Sequence, residues 1–333
     1  MKDPHIDLLA IGNAIVDVLA QTDEAFVERQ GKLYGMVKGA MTLIDERRAV
    51  ELYAEMPAGI ESSGGSAGNT IAGFASFGGK GAYIGKVAKD QLGDVFSHDL
   101  KSQGVVFQTQ PLAIGAPTAR CLVLVTPDGQ RTMNTFLGAA VELSPIDIDE
   151  ELVSSSRITY LEGYLFDPPH AKEAFRVASE IAHKAGRKVS LSLSDPFCVN
   201  RHRADLQEFV ENHVDILFAN EEEAKALYES ETFEEAVESL KGKCEIIAIT
   251  RSEKGSVVLS GDKMIQIAPE KIAKLVDTTG AGDQYAAGFL YGYTQGMTLE
   301  ACGRLASMAA AEVISHIGPR PAVRYADFLK KAA

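Results

Sequence analysis

This 333-residue chain shows no pattern of a metal cluster, a disulfide framework or a membrane span. Its four cysteines (Cys121, Cys198, Cys244 and Cys302) are scattered, with no CxxC pair and no Cys/His cluster. That spacing excludes the common zinc patterns and fits a reducing compartment. Basic residues are the minority: 33 Lys and Arg against 46 Asp and Glu leave a formal net charge of −13. Such a field argues against nucleic-acid partners and anionic membrane surfaces, so an anionic substrate must be gathered by a local site. No apolar stretch is long enough to cross a bilayer. The first apolar run is broken by Asp7 and Asp17, unlike a signal peptide, and a cytoplasmic location is expected. Tandem repeats and low-complexity tracts are absent as well.

What remains is an ordinary globular composition, 46% apolar and 24% charged, long enough to bury a large core. From residue 145 onward apolar runs alternate with segments of helical period. Strands are expected at 158–161, 189–193, 216–219, 246–250, 257–259 and 264–267, with helices at 169–185, 203–212, 221–228 and 233–241 between most of them. Earlier strands are expected at 8–12 and 82–88, and helices at 45–56, 66–77, 90–103 and from 283 to about 295. Residues 14–44 read as less regular. Residues 119–126 and 131–137 flank Pro127-Asp128-Gly129, a strong hairpin turn. The alternation implies an α/β fold, a mainly parallel sheet flanked by helices on both faces. The boundaries drawn are a core of 1–13, 45–104 and 141–333, and a small β-sheet lid of 14–44 and 105–140.

Asp277-Thr278-Thr279-Gly280-Ala281-Gly282-Asp283 is the most informative peptide. A small-residue turn feeds a helix whose unpaired N–H groups and positive dipole end suit a multiply charged anion. Asp283, on the first helical turn, is placed to take a proton from an attacking hydroxyl. Gly64-Gly65-Ser66-Ala67-Gly68-Asn69 is a second glycine-rich turn, where backbone can approach a ligand closely and Asn69 can bind a polyol. The same residues spell the Gly-x-Ser-x-Gly elbow of serine hydrolases, with Ser66 as nucleophile and His316 to complete the chain order. That motif needs a strand before the serine, and residues 58–63 make a poor one. Gly280-x-Gly282 lacks the dinucleotide fingerprint's third glycine, and Gly79-Lys80 lacks two positions of a P-loop. Asn220 and Glu223, spaced i, i+3 after an expected strand, suit water-mediated Mg²⁺ contacts or an ordinary capped helix start. Asn13 and Asp17 follow the first strand, where open α/β sheets bind ligands.

Together these motifs resemble the ribokinase (PfkB) family of carbohydrate and nucleoside kinases. The run from Gly64-Gly65 and Asn69 to Gly93-Asp94 resembles its N-terminal signature, 277–283 its C-terminal one, and Asn220-x-x-Glu223 its NxxE motif. The resemblance spans essentially the whole chain. It implies a ribokinase-like fold and phosphorylation of a primary hydroxyl with ATP and Mg²⁺. Asp283 would be the base and the 280–283 amides the anion hole, with Arg131 swinging onto the developing charge. Asn220 and Glu223 would organise Mg²⁺ and water; Thr250, Arg251 and Gly255 would meet the ATP phosphates, and Ala309 would border the adenine. Within the family the pattern is most like adenosine kinases. Asn13, Asp17, Gly64, Gly65 and Asn69 would then hold the ribose, with Met133, Phe136, Leu137 and Tyr164 forming an apolar slot for the base. The alternatives are a sugar, as in ribokinases and fructokinases, or inosine or guanosine. Backbone oxygens of Asp277 and Thr279 would bind K⁺, as in some relatives. Gln284-Tyr285 and the segment His316–Pro321 depart from the family pattern. Either a monomer or a homodimer fits.

Overall fold

The computed structural model describes residues 5–329. Among them fourteen strands follow in chain order: β1 (Ile6–Ile11), β2 (Ile15–Gln21), β3 (Met41–Leu43), β4 (Ile60–Ser63), β5 (Gly81–Ile84), β6 (Val106–Phe107), β7 (Ala119–Val125), β8 (Arg131–Phe136), β9 (Ser156–Glu162), β10 (Lys188–Ser192), β11 (Ile216–Asn220), β12 (Ile246–Thr250), β13 (Ser256–Ser260) and β14 (Lys263–Ile267). Nine form one sheet in the order β14-β13-β12-β11-β10-β9-β1-β5-β6. It is parallel except at β12–β13 and β13–β14. Apolar side chains leave both faces, as a sheet covered twice requires. On one face Leu9, Leu161, Leu191 and Leu217 pack against Phe175, Phe209 and Leu227. On the other, Leu8, Tyr160 and Phe218 pack against Ile71, Phe74, Phe289 and Ala306.

Strand order changes direction at β1, which lies between β9 and β5. The chain leaves the carboxyl end of β1 through Gly12-Asn13-Ala14 and enters the small sheet, β3-β8-β7-β2-β4. One face of that sheet is covered: Val18, Leu122 and Leu124 pack on Val27, Met36 and Leu52. Those three come from the helices Glu24–Tyr34 and Glu46–Glu55 and the turn after the first. The opposite face carries Ile15, Leu19, Cys121, Val123 and Met133. Strand alternation puts Asp17 and Arg131 on it too.

Several sequence expectations need correction. Helix Glu24–Tyr34 lies in the stretch read as irregular; it is capped by the Asp23 carboxylate at the Phe26 amide (2.7 Å) and closed by Gly35 at φ 74°. Ile60–Ser63 is a strand, because β2 supplies an antiparallel partner for it. Residues 46–55 and 60–63, assigned above to the core, therefore belong to the small-sheet layer. Val106–Phe107, assigned above to the lid, extends the large sheet beside β5. The strand expected over 82–88 ends at Ile84, and Ala88 makes only an isolated bridge to Leu112.

Candidate active site

Helix Ala281–Thr294 starts at Gly280, whose φ of 80° favours glycine, and no side chain caps its first turn. A Cβ on Gly280 would press on Pro319, while Gly282 faces open space. The Ala281 amide donates to the Thr278 carbonyl at 3.2 Å, and the amides of Gly280, Gly282 and Asp283 remain available to an anion. Asp283 points back over the turn: its Oδ1 accepts the Ser66 hydroxyl at 2.6 Å and its Oδ2 the Asn69 amide N–H at 3.0 Å. Burial raises its pKa to about 6, opposed by the two hydrogen bonds and by Arg320. It is thus a carboxylate with base strength near neutrality.

The turn at 64–65 is shaped around Asn13 and Asp17. Gly65 has φ 78°, and a Cβ there would overlap the Asn13 carbonyl. A Cβ on Gly64 would overlap the Asp17 carboxylate. Asn13, 4% exposed, donates its Nδ2–H to Glu162 Oε1 at 2.6 Å, and Glu162 Oε2 accepts the Ala67 amide at 2.8 Å. Burial lifts Glu162 to about 7 and Asp17 to about 6; Arg131 and Arg320 oppose the rise at Asp17. Asp17, on β2, thus faces two arginines, whereas Glu162, at the carboxyl end of β9, is held by neutral donors.

Arg131, on the inner face of the small sheet, forms a buried ion pair with Asp277. Asp277 also accepts the amides of Thr279 and Gly318, both at 3.0 Å. Burial alone would raise the Asp277 pKa; these amides and Arg131 hold it below the usual value. Arg131 is thus latched to the anion turn, with its Nε unpaired and buried.

A second group lies at the ends of β11 and β12, where Asn220 and Thr250 are paired in register. Asn220 and Glu223 close on each other as a reciprocal capping box: Asn220 donates from its backbone (2.9 Å) and side chain (2.6 Å), and the Glu223 amide returns a bond of 2.8 Å. Burial lifts Glu223 to about 7. Both carboxylate oxygens of Glu223 are thus engaged by Asn220. Among the described residues no cluster of three or more His, Cys, Asp or Glu is arranged to hold a metal ion. Arg251 donates to Glu221 at 2.9 Å and stacks 3.6 Å from the Phe233 ring centroid. Gly255, φ 82°, sits in the turn between β12 and β13.

Other expected residues do not converge. Phe136 points to the opposite face from Met133, under the Arg120 guanidinium (5.9 Å), and Leu137 opens the 3₁₀ turn Gly138–Glu142. The Tyr164 hydroxyl donates to the Ser194 carbonyl at 3.4 Å. Ala309 is fully buried with Phe77, Leu305 and Tyr325, and so lines no open surface. The serine-hydrolase alternative lacks its histidine: Ser66 bonds to Asp283, whereas His316 contacts Glu312 and the Ile317 carbonyl.

Sequence reasoning missed Glu162 and Arg320. Arg320 donates to Asn69 Oδ1 (2.9 Å), Ser63 O (2.8 Å), Ser63 Oγ (3.1 Å) and Gln103 Oε1 (3.4 Å). The two departures noted above are cross-links of the site. Gln284, fully buried, donates to the Asn69 and Pro319 carbonyls (3.0 and 2.9 Å), and Tyr285 meets Ser256 at 2.8 Å.

A family model described as pfkB family carbohydrate kinase matches residues 34–324. The chain belongs to that family. Its fold is accordingly ribokinase-like, and it is an ATP-dependent phosphotransferase with an alcohol group as acceptor, a nucleoside or a sugar. An adenosine kinase of Saccharomyces cerevisiae is 27% identical over 94% of this chain and 96% of that protein. Two solved structures are nearer in sequence. An adenosine kinase from Sinorhizobium meliloti has 52% identity and a TM-score of 0.91, covering 98% of this chain and 99% of the other. A probable sugar kinase from Rhizobium etli CFN 42 has 49% identity and the same TM-score, covering 99% of both. No described helix is long and apolar enough to cross a membrane.

Proposed function

We propose that this kinase transfers the γ-phosphoryl group of ATP to the 5′-hydroxyl of a nucleoside, with adenosine the preferred acceptor and AMP the product. The observation that carries the reading is Asp283, fixed by Ser66 and Asn69 beside the uncapped first turn of its helix. The acceptor oxygen bonds to the γ-phosphorus, its proton passes to Asp283, and the bond to the β–γ bridging oxygen breaks to leave ADP. The amides of residues 280–283 and the Arg131 guanidinium are suited to the charge that develops on the transferring group. Arg131 must leave Asp277 to reach it.

Asn13, Asp17, Gly64, Gly65 and Asn69 bind the ribose hydroxyls in this reading. The base rests on the apolar inner face of the small sheet, where Leu19, Cys121, Val123 and Met133 cluster. The resemblance of 52% to an adenosine kinase supports adenosine, and the 49% resemblance to a probable sugar kinase keeps a sugar acceptor as the second reading. Mg²⁺ bound with the nucleotide would reduce the charge on its phosphates. Asn220 and Glu223 would hold its water, and Thr250, Arg251 and Gly255 would border the phosphates. K⁺ would be held by the Asp277 and Thr279 carbonyls, in a turn anchored by the Asp277 amide to Ile314 O at 3.3 Å.

The test is ATP-coupled turnover on adenosine, inosine, guanosine, cytidine, ribose and fructose, ranked by kcat/KM and repeated in K⁺ and in Na⁺. Preference for adenosine supports the reading. A preference for ribose or fructose overturns the assignment of the apolar face, and equal rates in the two salts remove the K⁺ site.

A further inference from the structure

The guanidinium of Arg320 reaches the site from a turn just after the last long helix, Leu299–Val313. Three contacts hold that turn down: the Gly318 amide on Asp277 (3.0 Å), the Pro319 carbonyl on Gln284 (2.9 Å) and the packing of Pro319 on Gly280. From there Arg320 bridges two layers. Ser63 ends β4 of the small sheet, whereas Asn69 stands on the helix Ser66–Ser76 of the large domain. Every hydrogen bond it makes goes to a neutral group, so its charge is not cancelled by a direct carboxylate contact.

The Asn69 amide has two faces of opposite polarity. Arg320 Nε–H occupies its oxygen, leaving the amide N–H group for Asp283 at 3.0 Å. We propose that Arg320 is a positioning residue of the acceptor site: it locks the Asn69 amide with the N–H side toward Asp283 and the acceptor, and places one positive charge behind the acid cluster. The proposal rests on the kinase reading above, but not on which acceptor is used. Lacking Arg320, the Asn69 oxygen loses its partner, and the amide is held at the site only by its N–H contact to Asp283.

Charge supports the same role. Asp283 is faced by Ser66 and Asn69 from one helix and by Arg320 from the terminal turn. Asp17 of β2, Tyr160 and Glu162 of β9, Tyr164 after it, and Glu223 all lie within electrostatic range. Arg320, which also faces Asp99 and Tyr83, is a counter-charge shared by Asp17 and Asp283 in that group. Its removal makes both carboxylates harder to ionise.

The experiment compares full-length wild type with Arg320→Gln and Arg320→Lys, using whichever acceptor the wild type turns over best. Three quantities are read: kcat/KM against pH, the acceptor and ATP KM values separately, and the ¹³C NMR titration of the Asp283 carboxyl. For Arg320→Gln the acid limb and the NMR midpoint should move up by about half to one pH unit. Acceptor KM should rise about tenfold or more, with ATP KM changing by less than about threefold. Arg320→Lys keeps the charge without the fork, so it should restore the acid limb but not the acceptor KM. A wild-type acid limb and wild-type acceptor KM in Arg320→Gln would overturn the proposal. So would an equal loss in every parameter matched by a loss of folded protein. If Arg320→Gln does not fold, Arg320→Lys decides by itself, and an unchanged acceptor KM refutes the role. A wild type that prefers a sugar refutes the nucleoside assignment alone, and the Arg320 comparison is then made with that sugar.

Discussion

Asp283→Asn separates a catalytic carboxylate from a structural one, because the two roles predict opposite changes in stability. The substitution keeps size and shape. An asparagine oxygen can still accept the Asn69 N–H now at 3.0 Å, and its N–H can donate to the Ser66 hydroxyl, which rotates to accept. The fold therefore loses little. It gains something, because the carboxylate is held at a pKa of about 6 against an ordinary 3.8. At pH 8 that displacement costs on the order of 1–3 kcal/mol, the upper figure being ~1.4 kcal/mol per unit and the lower allowing for partial exposure. Asp283→Asn should thus melt at the same temperature as wild type or a few degrees higher at pH 8. Turnover should fall by about 10²–10⁴, the usual contribution of a general base, or about 3–5 kcal/mol in the barrier. The assay is calorimetric melting beside coupled turnover on one preparation. Near-normal turnover refutes the mechanism. Lost turnover with a melting temperature lowered by ten degrees or more refutes the claim that the carboxylate is held there at the expense of stability.

Three further outcomes can be checked. Arg131→Ala removes one member of a buried ion pair whose side chains are 8% and 6% exposed; urea unfolding should show a loss of about 3 kcal/mol and kcat should fall at least a hundredfold. Gly64→Ala drives a methyl group into the Asp17 carboxylate, so acceptor KM should rise about tenfold or more in steady-state kinetics while ATP KM stays near wild type. Glu223 is raised from 4.5 to about 7 by burial, so it binds a proton in the folded state that it lacks when unfolded between those values. Its contribution to stability therefore falls as pH rises from about 4.5 to 7, and Glu223→Gln should flatten the pH dependence of denaturant midpoints there by on the order of 2 kcal/mol.

The large sheet was legible because its strands are buried on both faces and written as apolar runs with helices between them. Ile216–Asn220 and Glu221–Tyr228 fall almost where periodicity places them. The small-sheet layer was harder to read. Glu24–Tyr34 has a broken apolar stripe with Gly31 inside it, and its clearest signals were the caps Asp23 and Gly35. Ile60–Ser63 is short, serine-rich and at a sheet edge, so only its neighbour β2 makes it a strand. The anion turn, Asp283 and the 64–69 turn announced themselves because their chemistry is local to a few residues. Arg320 did not, since a lone arginine in a Gly-Pro turn carries no local sign of the surface it covers. Gln284 was visible only as an oddity; its meaning depends on the Asn69 and Pro319 carbonyls, distant in sequence.

Two of the four raised carboxylates, Asp17 and Asp283, are those expected to receive acceptor hydroxyls, and this predicts how binding responds to pH. A hydroxyl donates to an ionised carboxylate more strongly than to a protonated one. Acceptor binding should therefore favour the ionised forms and lower both pKa values from about 6. By linkage, affinity should be flat above about pH 7 and should weaken below pH 6 by up to about tenfold per pH unit for each group that must lose its proton. Calorimetric titration with the preferred acceptor, at pH 5, 6 and 8 in buffers of different ionisation enthalpy, measures both effects: weaker binding at pH 5 and net proton release near pH 6. Asp17→Asn should remove part of the proton release and make the decline below pH 6 shallower, because Asp283 still sets its onset. An affinity unchanged from pH 5 to 8, with no proton released, would mean that these carboxylates do not receive the acceptor's hydroxyls. Arg131 adds a second constraint, because Asp17 and Arg131 share the inner face of one small sheet. If Asp17 receives an acceptor hydroxyl as proposed, displacing that sheet removes this contact and the partner of Asp277 together, so phosphoryl transfer and acceptor binding should be coupled through its position.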